Sequence, residues 1–526
     1  MTRRLSPLSL LFTGAVLVFL LGPAINLHWR AFAALAEHPS LWSQVSPLSR
    51  ASLSLLWRSL ALCAGVFTLC LALGIPIGFG LARGPAWWRI LAAPLCAVAI
   101  AIPPALAAAP FVSLALASGV PEDGSLGTYL LSVLSLSGCY FPLVAGATAI
   151  AIRSIPPEEE EAALLLSGET RAWLGVLKAR VLPVACGGAF GAAALSLWEM
   201  GAPDLLGWPT FSMHVYRNLA ATDASVEGVF QLSAQNSAAI TGLPVLVMGF
   251  ALLFPAIRLL RSVELRAVST NDRFARPLSA LASWLCIPST LTLVVFPLLL
   301  LVRFATAIES PREAWNVMQA NTDSIQNTLL LPGAAALGLT TCAFMLATMW
   351  REWPPRSRQI ALLLSLCPLL VTPVVLAVAL VETWNYPLFA SIYDSPSGMT
   401  LIGYAARFGP LVIALMLWSV QSVDEELLRA ARGLGAAPMR VAYTIIAPIL
   451  RTSLVGLIAL FFALCAGELT VTVLVQSPGG ATLPLPIFSL LHAGLSDDVA
   501  VLSLLQCALS GGAMIAAVYF LNRRPR

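Results

Sequence analysis

Twelve long stretches of this chain are apolar and hold at most one charged residue, and short polar segments separate them. A helix needs about 20 apolar residues to cross a hydrocarbon core of roughly 30 Å, and nearly all of the stretches are long enough. They are residues 5–29, 59–82, 90–121, 124–152, 181–198, 228–257, 277–302, 324–350, 359–381, 395–423, 452–467 and 499–522. We therefore predict an all-α polytopic membrane protein with about twelve transmembrane helices.

Basic residues indicate how these helices are oriented. With a cytoplasmic N-terminus, 23 of the 30 Lys and Arg residues fall in inner segments. That bias is what the positive-inside rule expects, so both termini are predicted to be cytoplasmic. Arg3 and Arg4 precede an apolar run longer than a usual signal-peptide core, which predicts an uncleaved first helix.

Composition agrees with this assignment and excludes several classes of protein. The 526 residues are 58% hydrophobic and only 11% charged, whereas a soluble protein has about 25% charged residues. The net charge of +4 follows from the inner-loop bias, so we do not interpret it as nucleic-acid binding. We therefore expect the lipid bilayer to surround most of the protein surface.

The sequence contains a repeat at an offset near 268 residues. Matching pairs at offsets of 268 or 269 are Arg83 with Arg351, Pro104 with Pro373, Ala162 with Ala430, and Glu199 with Glu468. Since each half would hold six spans, both halves have the same orientation and form parallel repeats. We predict a first six-helix repeat at 1–261, a cytoplasmic linker at 262–280 and a second six-helix repeat at 281–526.

The inner loops after the fourth and tenth spans share one composition. Each begins with acidic residues, continues with a pair of alanines, reaches a glycine and ends at a proline. Acidic residues favour a helix N-terminus, and glycine allows the chain to turn after the last helical residue. The residues selected are Glu161, Ala162, Ala163 and Gly168 in the first loop, and Arg429, Ala430, Ala431 and Gly435 in the second.

These loops resemble the coupling loop of permeases from binding-protein-dependent ATP-binding-cassette (ABC) importers, which carries Glu-Ala-Ala, three residues and Gly. The chain departs from that pattern in two places. Gly168 follows Glu161 by seven residues, and Arg429 stands where the family has Glu. The resemblance implies two copies of a cytoplasmic ATP-binding subunit, an extracytoplasmic solute-binding protein and a location in the bacterial inner membrane.

The second half is similar to the fused permeases of ferric-iron and thiamine importers. Gly467-Glu468-Leu469-Thr470 and Pro478-Gly479-Gly480 carry this likeness. It implies inward transport of a small solute by alternating access, powered by a separate ATPase, with ferric iron as the first candidate. Relatives with this layout also move thiamine, phosphonates or polyamines, which remain alternatives.

Four charged residues inside or at the ends of the spans are candidates for the transport pathway: Glu199, Glu382, Arg407 and Glu468. Charges at membrane depth are costly and usually face a pathway or a partner. The alternative interpretation is that the acidic residues lie at helix ends and face interfacial water.

The sequence contains no signature of an enzyme. A P-loop needs GxxxxGK[ST], and the only lysine, Lys178, is followed by Ala179. The four histidines are far apart in sequence and have no acidic neighbour at metal-ligand spacing. We therefore expect a transport subunit without catalytic residues, metal site or cofactor. A secondary transporter with 6+6 spans is the rival class.

Overall fold

The computed structural model describes residues 6–37, 49–119, 124–167, 171, 175, 177–222, 234–260, 302–306, 308, 310–493 and 497–522. Its longer helices, in chain order, are α1 Pro7–Glu37, α2 Arg50–Arg83, α3 Ala86–Ala101, α4 Pro104–Ala117, α5 Leu126–Arg153, α6 Pro157–Ser167, α7 Leu182–Trp198, α8 Phe211–Thr222, α9 Ala234–Thr241, α10 Leu243–Leu260, α11 Pro311–Ala320, α12 Thr322–Arg351, α13 Pro355–Leu366, α14 Pro373–Trp384, α15 Gly398–Gln421, α16 Glu425–Gly433, α17 Arg451–Ala466, α18 Pro484–Ala493 and α19 Asp497–Asn522. The described residues include no strand, so the all-α prediction is confirmed.

Among the described residues, eight helices are long and apolar enough to cross a membrane, and three bent pairs bring the number to eleven if each pair is one span. These eleven correspond to eleven of the twelve predicted stretches. The twelfth, 277–302, lies almost wholly outside the described residues, as does the predicted linker 262–280. The chain is therefore a multi-pass helical membrane protein.

Two of the predicted spans are broken rather than continuous. α3 and α4 meet at 90°. The helical run Pro355–Leu370, which begins with α13, meets α14 at 102°. Proline causes both breaks, because it has no N–H and disfavours helical backbone at the residue before it. Ile102 before Pro103 and Thr372 before Pro373 both have extended backbone.

The two halves share structural details at the repeat offset. A π-helical turn occupies Leu177–Val181 in the first half and Ala442–Ile446 in the second, 265 residues later. Each turn precedes a proline, and proline favours a widened turn because it cannot donate to the carbonyl four residues earlier. In addition, Ser59 Oγ accepts from Phe211 N at 2.9 Å, and Thr328 Oγ1 accepts from Leu483 N at 2.8 Å.

The first helix packs against the second half of the chain. The indole N–H of Trp350 donates to Thr13 at 2.8 Å, and that of Trp353 donates to Ser9 at 3.0 Å. Arg30, near the C-terminal end of α1, forms an ion pair of 2.5 Å with Glu382 at the end of α14. Because Leu20 of α1 joins a core that otherwise consists of second-half residues, and other α1 residues join a core shared by both halves, the two halves are not independent.

Residues at the beginning of the second half likewise contact the first half. Arg303, at the end of the predicted seventh span, donates from Nε to Ser113 of α4 at 3.1 Å. Phe304 and Val317 join a buried cluster that consists mostly of first-half residues. The segment that begins the second half therefore also packs against the opposite half.

The bends of the broken spans lie where the halves meet. A Cβ added at Gly467 would be 3.5 Å from Pro103, in the first bend. A Cβ added at Gly249 of α10 would be 3.4 Å from the Leu370 carbonyl, in the second bend, and 3.5 Å from Trp198. Small residues at these contacts allow the backbones of the two halves to approach closely.

Candidate functional site

The first of the two predicted coupling helices is α6, and an ion pair anchors it. Arg180, in the π-helical turn that follows the loop, donates to both carboxylate oxygens of Glu159 at 2.9 and 3.1 Å. Glu161 and Ala162 are exposed and Ala163 is half-buried, while Gly168 lies outside the described residues. The helix is therefore held at its acidic end and presents the predicted residues at the surface.

The second coupling helix, α16, has its own anchors. Asp424 accepts from Glu426 N at 2.9 Å and so caps the helix, and Leu428 is fully buried in the second-half core. Arg432 forms an ion pair of 2.6 Å with Glu352, just after α12. Arg429, which replaces the Glu of the family pattern, pairs with Glu425 at 3.3 Å on the same helix.

Gly435 ends this helix by adopting left-handed backbone, with φ of +80°. The N–H of Gly435 donates to Arg432 O, and the N–H of Ala436 donates to Ala431 O. This pair of bonds is the Schellman motif, in which the residue after the helix is usually Gly because it carries no Cβ. The sequence therefore placed the turn correctly, and the structure supplies its geometry.

Both helices expose leucine side chains to solvent. The exposed fractions are 89% for Leu165, 87% for Leu166 and 89% for Leu434, with Leu427 at 44%. A patch of apolar side chains next to polar residues indicates a surface that another protein or the membrane covers. Alanines 162, 430 and 431 beside them leave room for a close approach.

Glu199 and Glu468 occupy matching positions after α7 and α17. Glu199 Oε1 accepts from Gly201 N at 3.0 Å and from Ala202 N at 3.4 Å. Glu468 Oε1 accepts from Val471 N at 2.8 Å. The Glu199 carboxylate thus binds free amides in the first turn of the short helix Gly201–Leu205, whereas the Glu468 carboxylate binds the amide of Val471, directly before the short helix Thr472–Val475. Both side chains are half-buried. Their backbone contacts agree with the alternative interpretation in one respect, since both acids lie at helix ends.

The structure brings three of the four pathway candidates together. Glu199 lies within electrostatic range of both Glu468 and Arg407, and the Arg407 guanidinium lies 5.5 Å from the centre of the Trp198 ring. Two carboxylates, one guanidinium and an aromatic face therefore form a cluster between the halves. Glu382 does not belong to this cluster, because it pairs with Arg30.

A further group of charged residues links the halves, and sequence reasoning missed it. Asp204 pairs with Arg217 at 2.8 Å and faces His492 Nε2 at 3.5 Å. His214 lies three residues before Arg217 on α8. Burial and the neighbouring Arg217 guanidinium lower the pKa of His214. No spacing in the sequence could have joined Asp204 to a histidine 288 residues later.

No group of three or more His, Cys, Asp or Glu side chains that could hold a metal ion occurs in the part of the chain that the structure describes.

Comparison with known proteins finds permeases. The putrescine transport system permease protein PotI of Escherichia coli K12 is 26% identical over 158 residues, 30% of this chain and 56% of that protein. A 2-aminoethylphosphonate transport system permease protein, PhnV of Salmonella paratyphi A, is 34% identical over 88 residues, 17% of this chain and 33% of that protein.

The spermidine/putrescine transport system permease protein PotC of Escherichia coli K12 is 29% identical over 108 residues, 20% of this chain and 41% of that protein. The chain thus spans about half of the length, or less, of these curated relatives. No protein-family model matches the chain. All three relatives are permease proteins of transport systems, which supports the permease class.

Proposed function

We propose that this chain is the membrane-spanning permease of an ABC importer. The observation that carries the proposal is the pair of coupling helices, α6 and α16, at matching places in the two halves. Each is anchored to its own half by an ion pair and exposes leucines at the surface. The likeness to permease proteins of three transport systems supports the same class.

The partners follow from this role. Each coupling helix fits a groove in one of two ATP-binding subunits at the cytoplasmic face, since the bias of basic residues favours a cytoplasmic location for these loops. A solute-binding protein docks at the opposite face. The two six-helix repeats, 1–261 and 281–526, joined by 262–280, replace the two subunits of a dimer in the inner membrane.

Transport proceeds by alternating access. Closure of the ATP-binding subunits moves α6 and α16, and each helix transmits the motion through its anchor, Arg180–Glu159 or Arg432–Glu352. The halves then rock about the contacts near Pro103 and Leu370, which opens the central cluster to the other side. The chain itself binds and conducts the solute, and the partner hydrolyses ATP.

The solute we propose is a small organic cation of the polyamine class. Glu199 and Glu468 supply carboxylates that can accept hydrogen bonds from ammonium groups. Two of the relatives are named for putrescine or for spermidine and putrescine. Ferric iron, the first candidate from the sequence, is the weaker choice because none of these relatives is named for iron. The proposed resemblance to thiamine permeases has no support from them either.

Uptake in host cells with and without the gene tests the proposal. We expect loss of labelled putrescine uptake in the deletion strain, with ferric iron and thiamine uptake unchanged. Uptake should stop when ATP is depleted and persist when a protonophore removes the proton gradient at constant ATP. Dependence on the gradient alone would establish the secondary transporter instead. Loss of iron uptake with unchanged putrescine uptake would restore the iron assignment.

A further inference from the structure

A carbonyl group near the end of α7, and another near the end of α17, each accept a hydrogen bond from a side chain of a different helix. Ser212 Oγ of α8 donates to Leu197 O at 2.5 Å. Gln506 Nε2 of α19 donates to Ala466 O at 2.9 Å. The last four carbonyls of a helix have no partner within it, and an unpaired carbonyl is costly inside a membrane. The two side chains therefore stabilise the ends of α7 and α17.

The two carbonyls occupy the same position in the repeat. Leu197 and Ala466 are 269 residues apart. Glu199 and Glu468 have the same offset, so each carbonyl lies two residues before the acid of its half. The donors do not match, because one is a hydroxyl on α8 and the other is an amide on α19. Different side chains thus anchor equivalent helix ends beside the two acids.

Both donors are buried and held in place. Ser212 is 2% exposed, and the start of α8 is fixed where Phe211 N donates to Ser59 Oγ at 2.9 Å. Gln506 is fully buried, and its Nε2 also donates to Ser510 Oγ at 2.8 Å. Since a carbonyl can only accept, the amide nitrogen of Gln506 has to face the end of α17. A displacement of either donor would move the helix end that it binds.

We propose that Ser212 and Gln506 are positioning residues for the two pathway carboxylates, an inference that rests on the function proposed above. Glu199 and Glu468 each follow an anchored carbonyl by two residues and each accept a backbone N–H through Oε1. The anchors therefore fix where each carboxylate lies. A linear diamine separates its two ammonium groups by a length that its methylene groups set. Carboxylates at fixed places select diamines by that length.

Competition between diamines tests the proposal in proteoliposomes that contain the full chain with the ATP-binding subunit and the solute-binding protein that support its uptake. S212A and Q506M remove the donors, and methionine keeps nearly the volume of glutamine. We expect each variant to reduce the preference between putrescine and a diamine one methylene group longer by about threefold or more, since one methylene group is worth roughly tenfold or more in a fixed site. The binding protein is the same in every sample, so a changed preference comes from the chain.

Matched controls remove hydroxyl groups that hold no helix end. Thr210 and Ser503 are buried, and their hydroxyls have no hydrogen-bond partner among the residues that the structure describes. T210V, two residues before Ser212, and S503A, on α19, should leave the preference unchanged. An unchanged preference in S212A and Q506M, or an equal change in the controls, would overturn the proposal.

Hydrogen exchange measures the anchors without transport. Q506M should speed exchange of the Val471 amide, which donates to Glu468 Oε1, by about fivefold or more. S212A should do the same for the Gly201 amide, which donates to Glu199 Oε1. Absence of putrescine uptake in the wild type would refute the proposed solute and length selection with it. Unchanged exchange in both variants with intact uptake would refute the anchors alone.

Discussion

Glu199 and Glu468 have two properties that one substitution can separate: each carries a charge, and each accepts a backbone N–H at the start of a short helix through Oε1. Glutamine keeps a carbonyl oxygen for the backbone N–H but removes the charge. If the carboxylates attract a cationic solute, E199Q/E468Q should lower uptake by roughly tenfold or more, since each charged contact is worth about 1 kcal/mol or more. Assembly should be unaffected, because the caps persist.

Initial uptake rates in proteoliposomes measure the effect of the charge, and gel filtration of the complex measures assembly. The matched control is E199A/E468A, which removes the caps as well and should reduce stability by about 0.5–2 kcal/mol for each cap. Unchanged uptake in E199Q/E468Q would mean that the two acids act as helix caps alone.

The C-terminal end of α16 provides a prediction at the scale of one element. Gly433 is the last helical residue and Gly435 is left-handed, and an added Cβ at either position meets no neighbouring atom. G435A should therefore destabilise the end of the helix by about 1–2 kcal/mol because a Cβ disfavours left-handed backbone. G433A should stabilise the same helix by about 0.5–1 kcal/mol because alanine favours helical backbone.

Hydrogen exchange of the α16 amides compares these two variants directly. Faster exchange in G435A and slower exchange in G433A is the expected pair of results. Under the proposed function α16 has to stay formed to transmit motion, so G435A should also lower ATP-driven uptake, and G433A should not. Slower exchange in G435A would mean that the left-handed turn does not hold the helix end.

At the scale of the whole molecule, the packing of each half against the beginning of the other depends on contacts of unequal strength. Arg30 pairs with a carboxylate that is only 14% exposed, whereas Arg303 donates a hydrogen bond to a serine. R30A leaves the carboxylate of Glu382 half-enclosed without its counter-ion and should cost about 1–3 kcal/mol. R303A, the matched control in the other half, should cost about 1 kcal/mol.

Thermal unfolding of the two variants in detergent measures this difference. R30A is expected to have the lower midpoint, and the double variant R30A/E382Q should recover part of the loss because no buried charge remains. Equal midpoints for R30A and R303A would show that solvent screens the Arg30 ion pair.

The packing of α1 on the second half also predicts how the protein behaves when it is expressed as two fragments. Two fragments that end and begin within 262–280 should assemble when they are co-expressed, because each half buries part of the other. The first fragment expressed alone should be degraded, since Thr13, Ser9 and Arg30 of α1 would lose their partners. Co-purification from membranes measures assembly. A stable, monodisperse first fragment would contradict the mutual packing.

Sequence determined the features that depend on local chemistry. Apolar runs had to become membrane-spanning helices because only a helix satisfies its own backbone in lipid, and this prediction is confirmed for the described residues. Acidic starts located α6 and α16, and Gly435 located the end of α16, for the same reason, since capping depends on neighbours within a few residues. The prolines at the bends were visible as well, although a run of apolar residues alone predicted straight spans.

Only the tertiary structure determined which distant residues meet. The packing of α1 on the second half, the pairing of Arg30 with Glu382 and the cluster of Glu199, Arg407 and Glu468 depend on how helices pack. In lipid, close packing and a few polar contacts select helix partners, and one sequence does not specify which apolar faces will meet. Glu382, a pathway candidate from the sequence, pairs with Arg30 in the structure.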